Sequence, residues 1–266
     1  MAHIPTHIVG FIDSGWGGMT ILDMTRSMFP NLSTRYVADH VYMPYGSKTN
    51  DVVHARVTGM IEFLKGTGAQ MIVIACNTAS VSGIDEYRRV FPHIPIIAVV
   101  PVVKTASELT KTHIYTLFAT EKTASSEYVQ KLIDQYSAED QVTKIGSKKL
   151  ASLIEQGDVS SPEIHAELAC MVSKIPQGND VIVLGCTHYP YIAASLASMV
   201  GPDTHIIDSS GAVARHIGRT IATLPTTVVD DDAMHLIYTT DDPGQRMATL
   251  QKLTGRIQIV EWASIP

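Results

Sequence analysis

The sequence predicts an α/β protein built on parallel β-sheet, with two similar halves that each end a strand on a cysteine. Three observations carry this expectation. Residues 71–80 read MIVIACNTAS, an apolar run that gives way at Cys76 to Asn77, Thr78 and a helix. Residues 181–190 read VIVLGCTHYP and repeat the pattern around Cys186 and Thr187. Between them in kind lies the stretch 51–66, where Val52, Val53, Val57, Met60, Ile61 and Leu64 mark one face of an amphipathic helix leading into the Cys76 strand. Strand, helix, strand in that order gives parallel pairing.

In chain order, residues 7–12 read as a buried strand followed by Asp13-Ser14-Gly15-Trp16-Gly17-Gly18 and a helix from about Met19. Glycines there allow a tight turn and close approach of backbone to a ligand, while Asp13 and Ser14 serve either as helix caps or as ligand contacts. The loop has neither a dinucleotide fingerprint nor the ending of a phosphate loop. Residues 35–38 form a second strand ending in Asp39, and Met43-Pro44-Tyr45-Gly46-Ser47 is a turn whose Tyr45 suits either core or ligand. Further strands are expected over 94–100, 112–119, 205–208 and 235–239, with a short one at the end of the chain. Helices are expected over 128–136, 148–156 and 162–173, and from the turn at 241–244 through Leu253. Glu155 falls at a helix end, where a solvated carboxylate is the common case. Cys170 falls within the 162–173 helix and is read as core packing. Asp208-Ser209 repeats the strand-then-Asp-Ser pattern of Asp13-Ser14, which together with the two cysteine motifs hints at an internal duplication.

Composition bounds the function classes. A chain of 266 residues with 45% hydrophobic content can bury one large or two modest α/β cores. Its formal net charge of −6 is spread along the sequence, so no basic face for nucleic acid is expected. Three cysteines make no disulfide framework, which points to a reducing cytoplasm. Residues 1–10 carry no Lys or Arg ahead of their apolar run and do not read as a secretory leader. Apolar runs fall short of the roughly 18 residues of a membrane span, so a soluble protein without membrane contact is expected.

The strand-end cysteines carry the chemistry. At the carboxyl ends of parallel strands, helix N-termini and free N–H groups face a crevice, and a thiol placed there is expected to be partly exposed with a lowered pKa. Two such thiols could face each other across a ligand. The alternative is that both are buried small hydrophobes.

In these motifs the chain resembles the cofactor-independent amino-acid racemases of the aspartate/glutamate family, and the glutamate branch in particular. The matching residues are Gly10-Phe11-Ile12-Asp13-Ser14-Gly15, Pro44-Tyr45-Gly46, Ala75-Cys76-Asn77-Thr78-Ala79, Leu184-Gly185-Cys186-Thr187-His188-Tyr189-Pro190 and Ile207-Asp208-Ser209. The resemblance implies two pseudo-symmetric, doubly wound α/β domains, 1–97 with 208–266 and 98–207, with the active site in the cleft between them. It implies that Cys76 and Cys186 are the acid and base that invert the α-carbon of glutamate, assisted by Asp13 and His188 respectively, to supply D-glutamate for peptidoglycan. Ser14, Pro44, Tyr45, Gly46, Asn77, Thr78, Thr187 and, on a looser motif, Thr123 align with substrate-contacting positions, as do Asp13 and His188. Asp39 and Glu155 align with supporting acidic positions.

No cofactor and no metal are implied, because one thiol removing a proton while the other returns one is sufficient. Preorganised donors must then lower the barrier at the weakly acidic carbon. The expected partner is the small-molecule substrate, with a homodimer plausible within the family. Two departures stand out. Trp16 replaces the family's usual small aliphatic residue, and Gly146-Ser147-Lys148 replaces the Cys-Pro often found ahead of the Glu155 helix. Three other readings stay open at this point: a racemase for another acidic amino acid such as aspartate, a non-catalytic ligand-binding relative, and a metal site at Cys76, Cys186 and His188.

Overall fold

Each strand but the last is followed by one or two α-helices in the computed structural model, which describes residues 7–225 and 233–265; residues 1–6 of the leader reading lie outside it. The first part runs β1 (Ile8–Asp13), α1 (Met19–Met28), β2 (Ser33–Ala38), α2 (Asn50–Gly66), β3 (Met71–Ile74), α3 (Asn77–Val90) and β4 (Ile96–Ala98). The second runs α4 (Val103–Leu109), β5 (Ile114–Thr120), α5 (Glu121–Ala124), α6 (Glu127–Tyr136), β6 (Gln141–Ser147), α7 (Leu150–Glu155), α8 (Pro162–Val172), β7 (Val181–Gly185), α9 (Ala193–Val200) and β8 (His205–Asp208). It closes with α10 (Ser210–Ile221), β9 (His235–Thr239), α11 (Pro243–Thr254) and β10 (Glu261–Trp262).

The strands form two parallel sheets, ordered β10-β9-β2-β1-β3-β4 and β6-β5-β7-β8. β1, β2, β3 and β7 are buried along their whole length, as strands covered by helices on both faces must be. Each Val, Leu or Ile sunk there contributes about 1.5–3 kcal/mol. The four strands β2-β1-β3-β4 and the four strands β6-β5-β7-β8 have the same order, so β3 and β7 are counterparts and their following cysteines occupy equivalent corners. The Asp-Ser pairs do not share this equivalence. Asp13 ends β1, whereas Asp208 ends β8, the counterpart of β4, so the sequence hint of duplication holds for the cysteine motifs alone. By ladder register the counterpart of Asp13 is Ala119, and Thr120 takes the place of Ser14.

Three local expectations are corrected. Cys170 is exposed: Ile164, Leu168 and Met171 form the buried face of α8, and Cys170 lies one position off that stripe. The 94–100 strand shortens to Ile96–Ala98, because Pro95 and Pro101 bracket it. A strand over Gln141–Ser147 was not expected at all. The replaced Cys-Pro has an ordered substitute: Ser147 Oγ accepts the N–H groups of Lys149 and Leu150 at 3.2 and 3.0 Å and donates to Glu167 at 2.7 Å, which starts α7 where it is needed.

Candidate active site

Because both sheets are parallel, their cysteine corners and the loops beside them converge on one narrow cavity of about 20 Å³, room for a water molecule or two. Cys76 and Cys186 both line it, with Ser14, Pro44, Tyr45, Gly46, Asn77, Thr78, Thr187 and His188. The two thiols are 6% and 5% exposed. Each therefore packs against its own core and opens on the same void, which departs from the partly exposed thiol expected from the strand ends. The electrostatics depart as well. Burial, and then the negative charge of Asp13, push the Cys76 thiol well above its ordinary range. Ser14 Oγ lies 3.9 Å from the Cys76 sulfur.

On the other wall, Cys186 Sγ and His188 Nδ1 are 4.0 Å apart. Nε2 of His188 donates to Glu155 Oε2 at 2.6 Å. Burial alone would lower the pKa of His188, but its hydrogen bonds to Cys186 and Glu155 hold it well above the ordinary histidine value. Glu155 responds in the opposite sense: burial works to raise it, and hydrogen bonds from His188 and His40 bring it down to about 2. It is 3% exposed, so the solvated helix-end reading is overturned; α7 aims it inward, and the Trp16 N–H spans its two oxygens at 3.2 and 2.9 Å.

Asp13 lies behind the cavity wall rather than on it. Oδ1 accepts the Gly15 N–H at 3.0 Å and the Ser14 hydroxyl at 3.3 Å, and Oδ2 accepts Thr187 Oγ1 at 2.9 Å, so this carboxylate ties the loop after β1 to the loop after β7. Burial raises its pKa against the pull of the nearby His188 charge. Asp39 is also one layer back. It receives Arg56 through two contacts of 3.0 Å, Tyr45 OH at 2.7 Å and Thr240 Oγ1 at 3.0 Å. Burial and Asp39 keep Tyr45 a neutral phenol. Thr123 does not reach the cavity surface; its hydroxyl joins Thr78 at 3.2 Å and Thr120 at 2.9 Å.

Met43, Thr120 and Ala151 line the cavity without having been expected there. Thr120 had a signal, a strand-end threonine that also caps α5; Ala151 and Met43 had none. Asn77 Oδ1 is buried at the cavity with no hydrogen-bond partner among the described residues. No cluster of three or more His, Cys, Asp or Glu side chains suited to a metal ion is present among them, so Cys76, Cys186 and His188 are not gathered as ligands.

A family model described as Asp/Glu/Hydantoin racemase matches residues 20–217. This chain belongs to that racemase family. Among its relatives, the glutamate racemase of Stutzerimonas stutzeri is 35% identical over 96% of each chain, and that of Pseudomonas syringae is 33% identical over 94% of this chain and 92% of its own. Solved racemases share the architecture. The Escherichia coli glutamate racemase, in complex with L-glutamate and an activator, superposes with a TM-score of 0.88 at 27% identity, covering 98% of this chain and 100% of that one. The Francisella tularensis enzyme, in complex with D-glutamate, gives 0.83 at 26% identity, covering 97% of each. The two-sheet racemase fold is therefore shared over essentially the whole length. No helix among the described residues is long and apolar enough to cross a membrane.

Proposed function

We propose that this protein is a glutamate racemase, interconverting L- and D-glutamate by proton transfer between Cys76 and Cys186 without a cofactor, and that it supplies D-glutamate for peptidoglycan in a reducing cytoplasm. The observation that carries the reading is that both thiols line one cavity from opposite sheets. A substrate α-carbon held between them loses its proton to the sulfur on one face and receives a proton from the sulfur on the other. One thiolate and one thiol enter, one thiol and one thiolate leave, and charge is conserved.

The two walls are prepared differently. Cys76, with its raised pKa, rests as the proton donor, while the imidazolium of His188 faces the Cys186 sulfur at 4.0 Å. Asn77 Oδ1 offers an unused acceptor for the substrate ammonium. Thr78 supplies a short hydroxyl donor for its carboxylates, Thr187 and Ser14 do so by turning their hydroxyls from Asp13, and Tyr45, braced by Asp39 and Arg56, shapes the wall. Such fixed donors, in a cavity that excludes water, stabilise the charge that builds up when the α-proton leaves. Residues 1–97 with 208–266 act in this reading as one wall and 98–207 as the other, and two copies associate as a dimer, which sedimentation would check.

The test is exchange in deuterated water. The wild-type protein is expected to place deuterium at the α-carbon of glutamate while interconverting its enantiomers, and Cys76→Ala and Cys186→Ala are each expected to abolish interconversion. Full racemisation by either variant would contradict the mechanism. A panel of acidic amino acids distinguishes glutamate from aspartate.

A further inference from the structure

His40 has no role in the two-thiol reaction, yet both of its ring nitrogens are engaged and its side chain has no exposed surface. It lies in the turn after β2. Nε2 is 2.7 Å from Glu155 Oε1 and Nδ1 is 2.7 Å from Thr239 Oγ1, at the end of β9. The ring packs edge-on against Trp16, with centroids 4.5 Å apart at 66°. Hydrogen-bond accounting sets the direction of the Nε2 bond. An ionised Glu155 only accepts, so Nε2 carries the proton aimed at it. Thr239 Oγ1, which also accepts the Asp241 N–H at 3.2 Å, holds Nδ1 on the other side of the ring.

Glu155 is thereby strung between two imidazoles, one to each oxygen, with the Trp16 N–H across both. A carboxylate tied on one side only could turn about its terminal bond and drop His188. Tied on both, it cannot. We propose that His40 is a positioning residue for the Cys186 half of the reaction, pinning Glu155 so that His188 keeps its Nδ1 on the Cys186 sulfur. The device is one-sided. Among the described residues, Cys76 has the Ser14 hydroxyl beside it and no imidazole bonded to it. The other titratable groups around this string are Asp13 from β1, Tyr36 and Asp39 from β2 and the turn it enters, Tyr191 after His188, and Asp241 after β9.

The inference rests on the racemase reading, and its test separates the two. Enantiomers have equal free energy, so kcat/KM must be the same in both directions for every variant; a defect on one wall has to show elsewhere. With His40→Asn, kcat is expected to fall about tenfold, the low end for loss of a partner that orients a reacting group. Proton transfer at Cys186 becomes the slow step. The α-deuterium isotope effect then rises for the enantiomer whose proton goes to Cys186 and falls for the other, so the two effects move apart. His40→Gln, whose amide N–H reaches one methylene further, toward the place of Nε2, is expected to bring them partly back together. The hydrogen bond lost from Glu155 also raises its pKa, so the acid limb of the activity profile shifts to higher pH. Should His40→Asn not fold, Thr239→Val, which frees Nδ1 and the Asp241 N–H but leaves Nε2 on Glu155, is expected to separate the isotope effects in the same sense. Isotope effects that keep their wild-type ratio while activity falls would reduce His40 to a structural residue and overturn the proposal, as would unchanged kinetics. Wild-type protein that exchanges no α-proton would overturn the racemase reading, and the proposal with it.

Discussion

His188 and Glu155 form a buried ion pair 2.6 Å apart, with side chains 3% and 4% exposed. Their shifts have opposite signs and so bound a pH window. Glu155, depressed to about 2, contributes stability that is complete above its ordinary value of 4.5 and is lost as pH falls through about 2. His188, raised above its ordinary value of 6.5, contributes stability that is complete below that value and is lost as pH rises through its folded pKa. The melting temperature of wild type is therefore expected to exceed that of Glu155→Gln most between about pH 4.5 and 6.5. Thermal melts across pH check this; a constant difference at all pH values would mean that the pair does not titrate as a pair.

Gly17 stands against the same histidine. A Cβ built at this position would lie 2.4 Å from His188 Nδ1 and 2.6 Å from Thr187 Oγ1. His188 cannot retreat, because Glu155 holds its far side. Gly17→Ala is expected to lower kcat by up to about a hundredfold, the cost of displacing a reacting group by about an ångström, with a smaller change in melting temperature. Steady-state kinetics beside a melting curve distinguish this from simple unfolding.

Arg56 neutralises Asp39 through two contacts of 3.0 Å in a buried setting. Arg56→Met leaves that carboxylate without its cation, and a loss of about 3–5 kcal/mol is expected in denaturant titrations. The partner of Tyr45 moves with it, so KM is expected to rise as well.

The three cysteines should separate by reactivity. Cys170 is exposed on α8, whereas Cys76 is buried and its thiol is held protonated by burial and Asp13. A maleimide at neutral pH is expected to label Cys170 first with no loss of activity, and Cys170→Ala should remove that fast phase. Mass spectrometry of the labelled peptides is the readout. Faster labelling of Cys76 would contradict its raised pKa.

Much of this site was legible in the sequence because strand-end motifs are local. Cys76, Asn77, Thr78, Cys186, Thr187 and His188 sit in short runs whose pattern encodes strand, corner and helix together. What was missed depends on distance or phase. His40 meets Glu155 across 115 residues of chain, and nothing around either residue announces the other. Residues 141–147 form an edge strand with most of its side chains solvated or half-buried, so no alternation of apolar residues marks it. Cys170 was misplaced by one position on a helix, where one position is enough to turn a side chain from core to solvent. The second Asp-Ser pair resembled the first by composition, and only the strand order separates them.

The cavity between the thiols is smaller than an amino acid. Any substrate must first wedge its walls apart, and the free energy of that parting is deducted from every contact made afterwards. Measured affinities will consequently understate how well the lining residues grip, and a molecule that holds the walls at their loaded separation before it arrives at the thiols would escape the deduction.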